Sequence, residues 1–291
     1  MFRGSIVALI TPFRNGAVDE KTLRDLIDWH VDQGTSGIVP VGTTGESPTL
    51  SHDEHKQVVD ITVDAVAGRL PVIAGAGSNS TMEAIDFTDH AKKAGADAAL
   101  VVTPYYNKPT QAGLYAHYKA IVDAVDLPVI IYNIPGRSII DMSVETMAKL
   151  AEHPNIVGVK DSTADLTRPV LTTEACGQDF CQLTGEDAST LAFLAHGGGG
   201  AISVTANVAP RLCADMHEAW AHGDAKEALS IHTRLMPLHR NLFIEASPAP
   251  AKYALSRLGK ASAELRLPLV ECSEAAKQAV DQAMTSAGLI N

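Results

Sequence analysis

The sequence predicts an α/β protein in which a (β/α)8 barrel is followed by a C-terminal helical extension. Eight apolar runs of strand-like composition alternate with stretches of helical periodicity. Because a helix separates each strand from the next, we expect parallel strands that are buried on both faces. A doubly wound sheet is the alternative, but its strand count is usually lower. The predicted strands are residues 5–12, 37–45, 71–77, 98–104, 128–135, 155–162, 181–187 and 201–208.

The helices between these strands have recognisable ends. The stretch DEKTLRDLIDWHVDQG ends at Gly34, and STMEAIDFTDHAKKAG ends at Gly95. Glycine fits these positions because a helix often closes on a left-handed residue. A final helix near 209–222 completes the eighth unit, so the barrel is expected to span 1–223.

The last part of the chain, 224–291, is also helical in pattern and is interrupted by prolines. No flexible linker precedes it, so we expect a C-terminal helical domain that packs on the barrel. The expected breaks are Pro237, Pro248, Pro250 and Pro268.

Charge and cysteine content narrow the functional classes. A net charge of -11, a pI of about 5.4 and no cluster of basic residues argue against nucleic acid and acidic membranes as partners. The four cysteines form no CxxC pair, which indicates reduced thiols in a cytoplasmic protein. The first apolar run stops at Pro12, too early for a signal peptide, and no later run is long enough to span a membrane. The histidines form no HxH or HExxH pair, so no metal site is expected.

Lys160 is an unusual end for a buried strand. The stretch NIVGVKDST, 155–163, passes directly from apolar residues to a lysine. Such a lysine either reaches into water or is a desolvated amine, as a Schiff-base nucleophile requires. Active sites of these barrels lie at the C-terminal ends of the strands, which favours the second interpretation. The amine would attack a ketone, and the resulting iminium would act as an electron sink.

Other polar side chains occur at the same strand ends. Tyr132 is a candidate proton carrier, although it could be an ordinary strand aromatic. In VGTTGES, backbone N–H groups and the hydroxyls of Thr43 and Thr44 could face a small anion such as a carboxylate, or the stretch could be an ordinary turn. Arg137 could bind a carboxylate with both arms of its guanidinium, or it could be a solvated loop residue.

Two glycine-rich stretches carry weaker signals. GAGSNS, 75–80, lacks the third glycine of a dinucleotide-binding loop. GGGG, 197–200, precedes the eighth strand and therefore belongs to the opposite end of the barrel from the chemistry. Neither is interpreted as a phosphate site.

Four motifs together resemble one family. They are GTTGE at 42–46, TPYYNKP at 103–109, YNIPGR at 132–137 and GVKDST at 158–163. In this order and spacing they closely resemble the dihydrodipicolinate synthase family, within the pyruvate-dependent class I aldolases that also include N-acetylneuraminate lyase. The similarity extends over nearly the whole chain. The PYYNKP loop and the arginine of YNIPGR favour the synthases over the lyases.

The resemblance implies a reaction and most of its residues. It implies condensation of pyruvate with L-aspartate 4-semialdehyde in lysine (diaminopimelate) biosynthesis, through a covalent imine of pyruvate with Lys160 and without a metal or organic cofactor. Tyr132, Thr43 and Tyr106 would form a proton relay, with Tyr106 supplied by a neighbouring subunit. Thr44 would help Thr43 hold the pyruvate carboxylate.

The resemblance also implies the remaining contacts and the assembly. Arg137 would bind the carboxylate of the semialdehyde, and Gly185 and Ile202 would line the pyruvate pocket. The family is usually a homotetramer, built as a dimer of dimers. L-Lysine is a possible effector, and Pro48 departs from the small residue expected beside its site. The matching effector residues are Ser47, His52, His55, Asn79, Glu83 and Tyr105.

Two alternative functions stay open at this point. One is a pyruvate aldolase that acts on a sugar acid, as N-acetylneuraminate lyase does. The other is a non-catalytic barrel that binds pyruvate or lysine as a sensor, which predicts an incomplete catalytic set. Lys160, Tyr132, Thr43 and Tyr106 are all present, which disfavours the sensor.

Overall fold

The computed structural model describes residues 2–291, and within them it contains ten strands and twelve α-helices. Eight of the strands are parallel and make up a (β/α)8 barrel, which confirms the predicted fold class. No helix among the described residues is long and apolar enough to cross a membrane. The strands are β1 (Gly4–Ala8), β2 (Phe13–Arg14), β3 (Ala17–Val18), β4 (Gly37–Val39), β5 (Ile73–Gly75), β6 (Ala98–Val102), β7 (Val129–Asn133), β8 (Ile156–Asp161), β9 (Cys181–Thr184) and β10 (Gly200–Ser203).

Helix ends follow the local signals of the sequence. Ser51 caps its helix with a reciprocal capping box to Glu54, and Gly95 closes another in the left-handed conformation. The helices are α1 (Glu20–Asp32), α2 (His52–Val66), α3 (Thr81–Ala94), α4 (Gln111–Ala124), α5 (Pro135–Ser138), α6 (Val144–Ala151), α7 (Arg168–Cys176), α8 (Thr190–Ala195), α9 (Pro210–Ala221), α10 (Ala225–Asn241), α11 (Ala249–Arg257) and α12 (Glu274–Ser286).

One compact unit of the described chain comprises residues 71–202 together with residues 2–3. Its strands β5 to β10 pair in sequence order, each parallel to the next. The register sets Tyr132 beside Lys160, and Lys160 beside Leu183. These strands are buried almost throughout, as expected for a parallel sheet covered on both faces.

The other compact unit comprises residues 4–70 and 203–291. In it, β1 pairs in parallel with β4, and β2 and β3 form a short antiparallel hairpin. Helix α10 packs against α9 and α12, and α11 packs against α12. Both tryptophans belong to this unit, Trp29 on α1 and Trp220 on α9.

The C-terminal part is helical as predicted, but two of the four expected breaks are wrong. Pro237 lies inside α10, and Pro250 lies in the first turn of α11. The first turn tolerates proline because its N–H groups have no partner within the helix. Within α10, the buried side chains of Leu235 and Leu238 flank the proline, and their packing holds the helix across the missing bond. The boundary between a barrel of residues 1–223 and a C-terminal helical domain of residues 224–291 stays a prediction.

Candidate active site

Lys160 lies at the end of β8, in the unit formed by residues 71–202, and is only 6% exposed. Its register partner on β7 is Tyr132, which is also buried. Paired residues of adjacent strands project to the same face of a sheet. The Lys160 ammonium nitrogen, Nζ, lies over the Tyr132 ring, 4.0 Å from its centroid. Lys160 therefore does not reach into open water, and two residues predicted to share the chemistry are neighbours.

A glycine at position 185 leaves room for the lysine stem. A Cβ atom there would lie 2.7 Å from Lys160 Cε and would overlap the hydroxyl of Ser162. Any side chain at position 185 would therefore require Ser162 and the end of Lys160 to shift. Strand β10 pairs with β9 at Gly200–Leu183 and Ala201–Thr184, and Gly185 and the buried Ile202 directly follow these residues. Of the two residues predicted to line a pocket, Gly185 lies against Lys160, whereas Ile202 belongs to β10, on the other side of β9 from the lysine strand.

Two carboxylates that the sequence analysis did not single out follow Gly185. Glu186 is half-buried and Asp187 is buried. Burial raises the pKa of Glu186 and the charge of Asp187 raises it further, whereas the charges of Lys160 and Arg137 lower it. Glu186 is therefore within electrostatic reach of both cations. The signal that could have revealed it is the adjacent acidic pair directly after a barrel strand, in TGED.

A second missed group is a charged network beside Lys160. Arg168 Nε is 2.9 Å from Asp161 Oδ2, and Arg168 Nη1 is 3.2 Å from Asp141 Oδ2. The amide of Asn133 donates to Asp141 at 2.7 Å and accepts from the Met142 N–H at 3.0 Å. The loop that follows β7 is thereby fastened both to its own strand and to the end of β8. Arg168 belongs to a separate helix, so no local motif connects it to this site.

Arg137 lies in that fastened loop. It belongs to the short helix α5, whose first residue is Pro135, and it is exposed. Its neighbour Ser138 is buried, and the Ser138 hydroxyl donates to the Ile134 carbonyl at 2.9 Å. The backbone is thus anchored while the guanidinium faces outward, where it can meet an anion.

Thr43 and Thr44 lie in the other unit, in the turn after β4. Residues 42–46, which we call the 42–46 turn, fold back so that the Gly45 N–H donates to the Gly42 carbonyl at 3.1 Å. The hydroxyl of Thr11 holds the Gly45 carbonyl at 2.7 Å. Thr44 is buried and Thr43 is partly exposed. A compact turn of this kind can direct backbone N–H groups and hydroxyls at a small anion.

Tyr106 differs from the other predicted catalytic residues because it points away from its own chain. Its side chain is 88% exposed, and its φ of 71° lies in the left-handed region that residues with side chains rarely adopt. Such backbone strain often accompanies a functional constraint.

The predicted effector residues fall into two groups. In the unit 71–202, Asn79 Nδ2 donates to the Tyr105 carbonyl at 3.2 Å, and the charge of Glu83 contributes to a raised pKa of Tyr105, after burial. These three residues are therefore neighbours. In the other unit, Ser47 begins a short 3-10 helix just before α2. The first turn of α2 carries His52, which is exposed, and His55, which is buried.

Pro48 occupies the second position of that 3-10 helix and is exposed. The fixed φ of proline suits the first turn of a helix, so a proline at position 48 fits the local backbone. The structure gives no reason to expect a distorted loop at this position.

The described residues offer little support for a metal site or a reactive cysteine. Among residues 2–291, no three His, Cys, Asp or Glu side chains are grouped so that they could hold a metal ion. No disulfide joins the four cysteines of the described chain. Burial raises the pKa of both Cys181 and Cys272 to about 11, so neither thiol ionises readily at neutral pH.

Comparison with known proteins identifies the family. The model of the dihydrodipicolinate synthetase family matches residues 1–287. The chain belongs to that family. Its curated relatives include the 4-hydroxy-tetrahydrodipicolinate synthases of Rhodospirillum centenum and Bradyrhizobium diazoefficiens, which are 63% and 62% identical over 290 residues. These matches cover 100% of this chain, and 100% and 98% of the two relatives.

Solved structures of the same family share the fold along the whole chain. The dihydrodipicolinate synthase from Aquifex aeolicus is 48% identical, with a TM-score of 0.97 and 99% coverage of both chains. The enzyme from Acinetobacter baumannii, solved with pyruvate, is 46% identical, with a TM-score of 0.97 and 100% coverage of both chains. That from Cyanidioschyzon merolae, solved with lysine bound, is 43% identical, with a TM-score of 0.96 and 99% coverage of both chains. The resemblance inferred from the four motifs is confirmed.

Proposed function

We propose that this chain condenses pyruvate with L-aspartate 4-semialdehyde, as a synthase of lysine (diaminopimelate) biosynthesis. The observation that carries the proposal is the buried amine of Lys160 beside Tyr132 in a chain of this family. A desolvated amine at a barrel strand end is suited to attack a ketone. The relative from Acinetobacter baumannii, solved with pyruvate, supports the identity of the first substrate.

The reaction begins when the Lys160 amine attacks C2 of pyruvate. A proton delivered to the departing oxygen releases water and leaves an iminium on Lys160. The iminium withdraws electrons, so C3 loses a proton and the resulting enamine attacks the aldehyde carbon of the semialdehyde. The semialdehyde amine then attacks C2, closes the ring and displaces Lys160. These steps use no metal ion and no organic cofactor.

Tyr132, Thr43 and Tyr106 move the protons of these steps. Tyr132 is supported by its position next to Lys160. Tyr106 acts on a neighbouring subunit, and the exposure of its side chain on the single chain supports this role. A residue supplied by a neighbour requires at least two subunits, and the proposed working assembly is a homotetramer, a dimer of dimers, of a cytoplasmic enzyme.

The substrate carboxylates are bound by two separate groups. Thr43 and Thr44 hold the carboxylate of pyruvate, and Gly185 and Ile202 line its pocket. Arg137 binds the carboxylate of the semialdehyde, since an exposed guanidinium on an anchored loop can engage both oxygens at once.

L-Lysine acts as an effector at a second site. The contacts among Asn79, Glu83 and Tyr105 support one part of this site, since the Glu83 carboxylate and the Asn79 amide offer oxygens to an ammonium group. The relative from Cyanidioschyzon merolae, solved with lysine bound, supports the identity of the ligand. Ser47, His52 and His55 supply the other part.

The test is turnover of pyruvate with L-aspartate 4-semialdehyde, coupled to a reductase that consumes the product. We expect turnover, inhibition by added L-lysine, and a borohydride-trapped pyruvate adduct on Lys160. Trapping without turnover would move the assignment to another aldehyde. In the Arg137→Ala variant the half-saturating semialdehyde concentration should rise about tenfold or more, as loss of a charged hydrogen bond predicts, while pyruvate trapping stays unchanged.

A further inference from the structure

Glu46, the last residue of the 42–46 turn, is a buried carboxylate with no part in the mechanism above. Its side chain is fully buried and forms an ion pair with Lys252 on α11, whose side chain is also fully buried. The second carboxylate oxygen, Oε2, accepts the backbone N–H of Arg266 at 3.1 Å. Both oxygens of the carboxylate are therefore held by the C-terminal segment 249–266.

Lys252 is fixed from several sides. Its ammonium donates to the Glu264 carbonyl at 2.8 Å and lies 4.1 Å from the centroid of the Phe13 ring. Burial lowers the pKa of Lys252, and the charge of Glu46 opposes that effect. An ammonium so enclosed has few other arrangements, so it defines where the Glu46 carboxylate must lie.

Arg266 holds the chain that follows the turn. Its guanidinium binds both carboxylate oxygens of Glu54, at 2.6 and 2.7 Å, and the Thr49 carbonyl at 2.9 Å. Glu54 is also half of the capping box that starts α2. The segment from the turn to α2 is thus clamped at Glu46, Thr49 and Glu54 by one stretch of the C-terminal part.

The backbone of the turn is strained at the residue that these contacts hold. Glu46 itself adopts the left-handed conformation, with φ 55° and ψ 35°. That conformation is unfavourable for a residue with a side chain unless surrounding contacts maintain it. The Glu46 N–H donates to the Thr43 carbonyl at 3.1 Å, so a rotation at Glu46 is transmitted to the peptide planes of Thr43 and Thr44.

We propose that Lys252 is a positioning residue for pyruvate: by fixing Glu46, it holds the 42–46 turn in the conformation in which Thr43 and Thr44 bind the substrate carboxylate. The proposal rests on the function proposed above for those two threonines. It gives the C-terminal helical part a role in substrate binding as well as in stability.

The experiment compares Lys252→Met, Glu46→Gln and the double variant with the unaltered protein. The readout is the pyruvate concentration that gives half-maximal borohydride trapping, and separately the half-saturating semialdehyde concentration. Loss of the pair should raise the half-saturating pyruvate concentration, which we call the pyruvate value, about ten- to a hundredfold, the size expected for a misplaced binding group. The half-saturating semialdehyde concentration should stay unchanged. The double variant should match the single ones, because all three lose the same interaction.

Arg234→Met is the matched control. The Arg234 guanidinium donates to the Ala287 carbonyl, at 2.9 Å through Nε, and so joins α10 to the chain end without touching the turn. This variant should lower stability and leave the pyruvate value as it was. If Lys252→Met gives insoluble protein, Glu46→Gln keeps the shape of the buried carboxylate and decides the question alone.

The outcomes separate the two proposals. An unchanged pyruvate value in a folded Lys252→Met or Glu46→Gln variant would overturn the positioning role while leaving the synthase assignment intact. A larger pyruvate value in these variants supports the role even when the unaltered protein traps pyruvate but does not turn over the semialdehyde. Failure of the unaltered protein to trap pyruvate would overturn both.

Discussion

The end of β8 and the 42–46 turn present candidate functional side chains by different physical means. Lys160 is located by the regular pairing of its strand with β7 and β9. Thr43 and Thr44 are located by a turn whose last residue is strained and held by buried charges. A strand position is maintained by many repeated backbone bonds, whereas the turn depends on a few side chains. We therefore expect the two regions to respond differently to mutation.

The largest expected effect is a loss of turnover at the end of β8 that is not accompanied by a loss of stability. In Lys160→Met the apolar stem over the Tyr132 ring is kept and the nucleophile is lost. Turnover should fall at least about a thousandfold, as for other nucleophile deletions, and the borohydride adduct should disappear. The free energy of unfolding, measured by urea denaturation and circular dichroism, should change by less than about 1 kcal/mol. A trapped adduct on another lysine would refute the assignment.

At the turn, by contrast, removal of one charge should lower stability as well as pyruvate binding. Glu46→Ala leaves the Lys252 ammonium buried without its partner, which should lower the free energy of unfolding by about 3–5 kcal/mol. The control is Glu218→Ala, an exposed ion-pair partner of Arg211 on α9, which should cost less than about 1 kcal/mol. Equal losses in the two variants would show that the buried pair adds no more than a surface pair.

A bulkier residue beside Lys160 tests how precisely the strand positions it. In Gly185→Ala the new methyl group overlaps Ser162 and crowds Lys160 Cε, so the amine must move. We expect kcat to fall about ten- to a hundredfold. Gly199→Ala is the control, since its Cβ would make only ordinary contacts, the nearest at 3.4 Å from the Gln182 carbonyl. Full activity in Gly185→Ala would mean that the lysine end is less confined than its contacts indicate.

The smallest effect concerns acid stability near the turn. The Arg266 guanidinium lowers the pKa of Glu54 from 4.5 to about 2. Because the folded-state pKa is depressed, the stabilisation is present above pH 4.5 and is lost as the pH falls toward 2. Because solvent screens this ion pair, we expect the free energy of unfolding to fall by about 1 kcal/mol when Glu54 is protonated. Between pH 5 and pH 3, the free energy of unfolding measured with urea should fall more in the unaltered protein than in Glu54→Gln. Equal falls in the two proteins would contradict this prediction.

The regular part of the comparison was predictable from sequence. Eight apolar runs and a lysine at the end of one of them were enough to predict the barrel and the position of Lys160. The strands are shorter than predicted, because some of the predicted residues belong to the following turns; β4, for example, stops at Val39, before GTTGE begins. An apolar pattern in the sequence indicates which residues are buried, not which are paired in the sheet. Buried residues continue past the last paired residue, so the pattern overestimates the length of the strand.

The contacts that hold the turn were not predictable in the same way. A glutamate in a glycine-rich turn normally indicates exposure, and Glu46 is buried only because Lys252, far along the chain, is buried with it. Arg168 and Asp141 are likewise joined across separate elements. Such pairs have no local periodicity, so a single sequence gives no signal for them.

The position of the two tryptophans has an optical consequence. Trp29 and Trp220 both belong to the unit of residues 4–70 and 203–291. Intrinsic indole emission therefore originates only from the unit that contains the buried Glu46–Lys252 pair. The unit that carries Lys160 contains tyrosines and phenylalanines but no tryptophan, so emission excited selectively at indole reports directly on the unit of residues 4–70 and 203–291 alone.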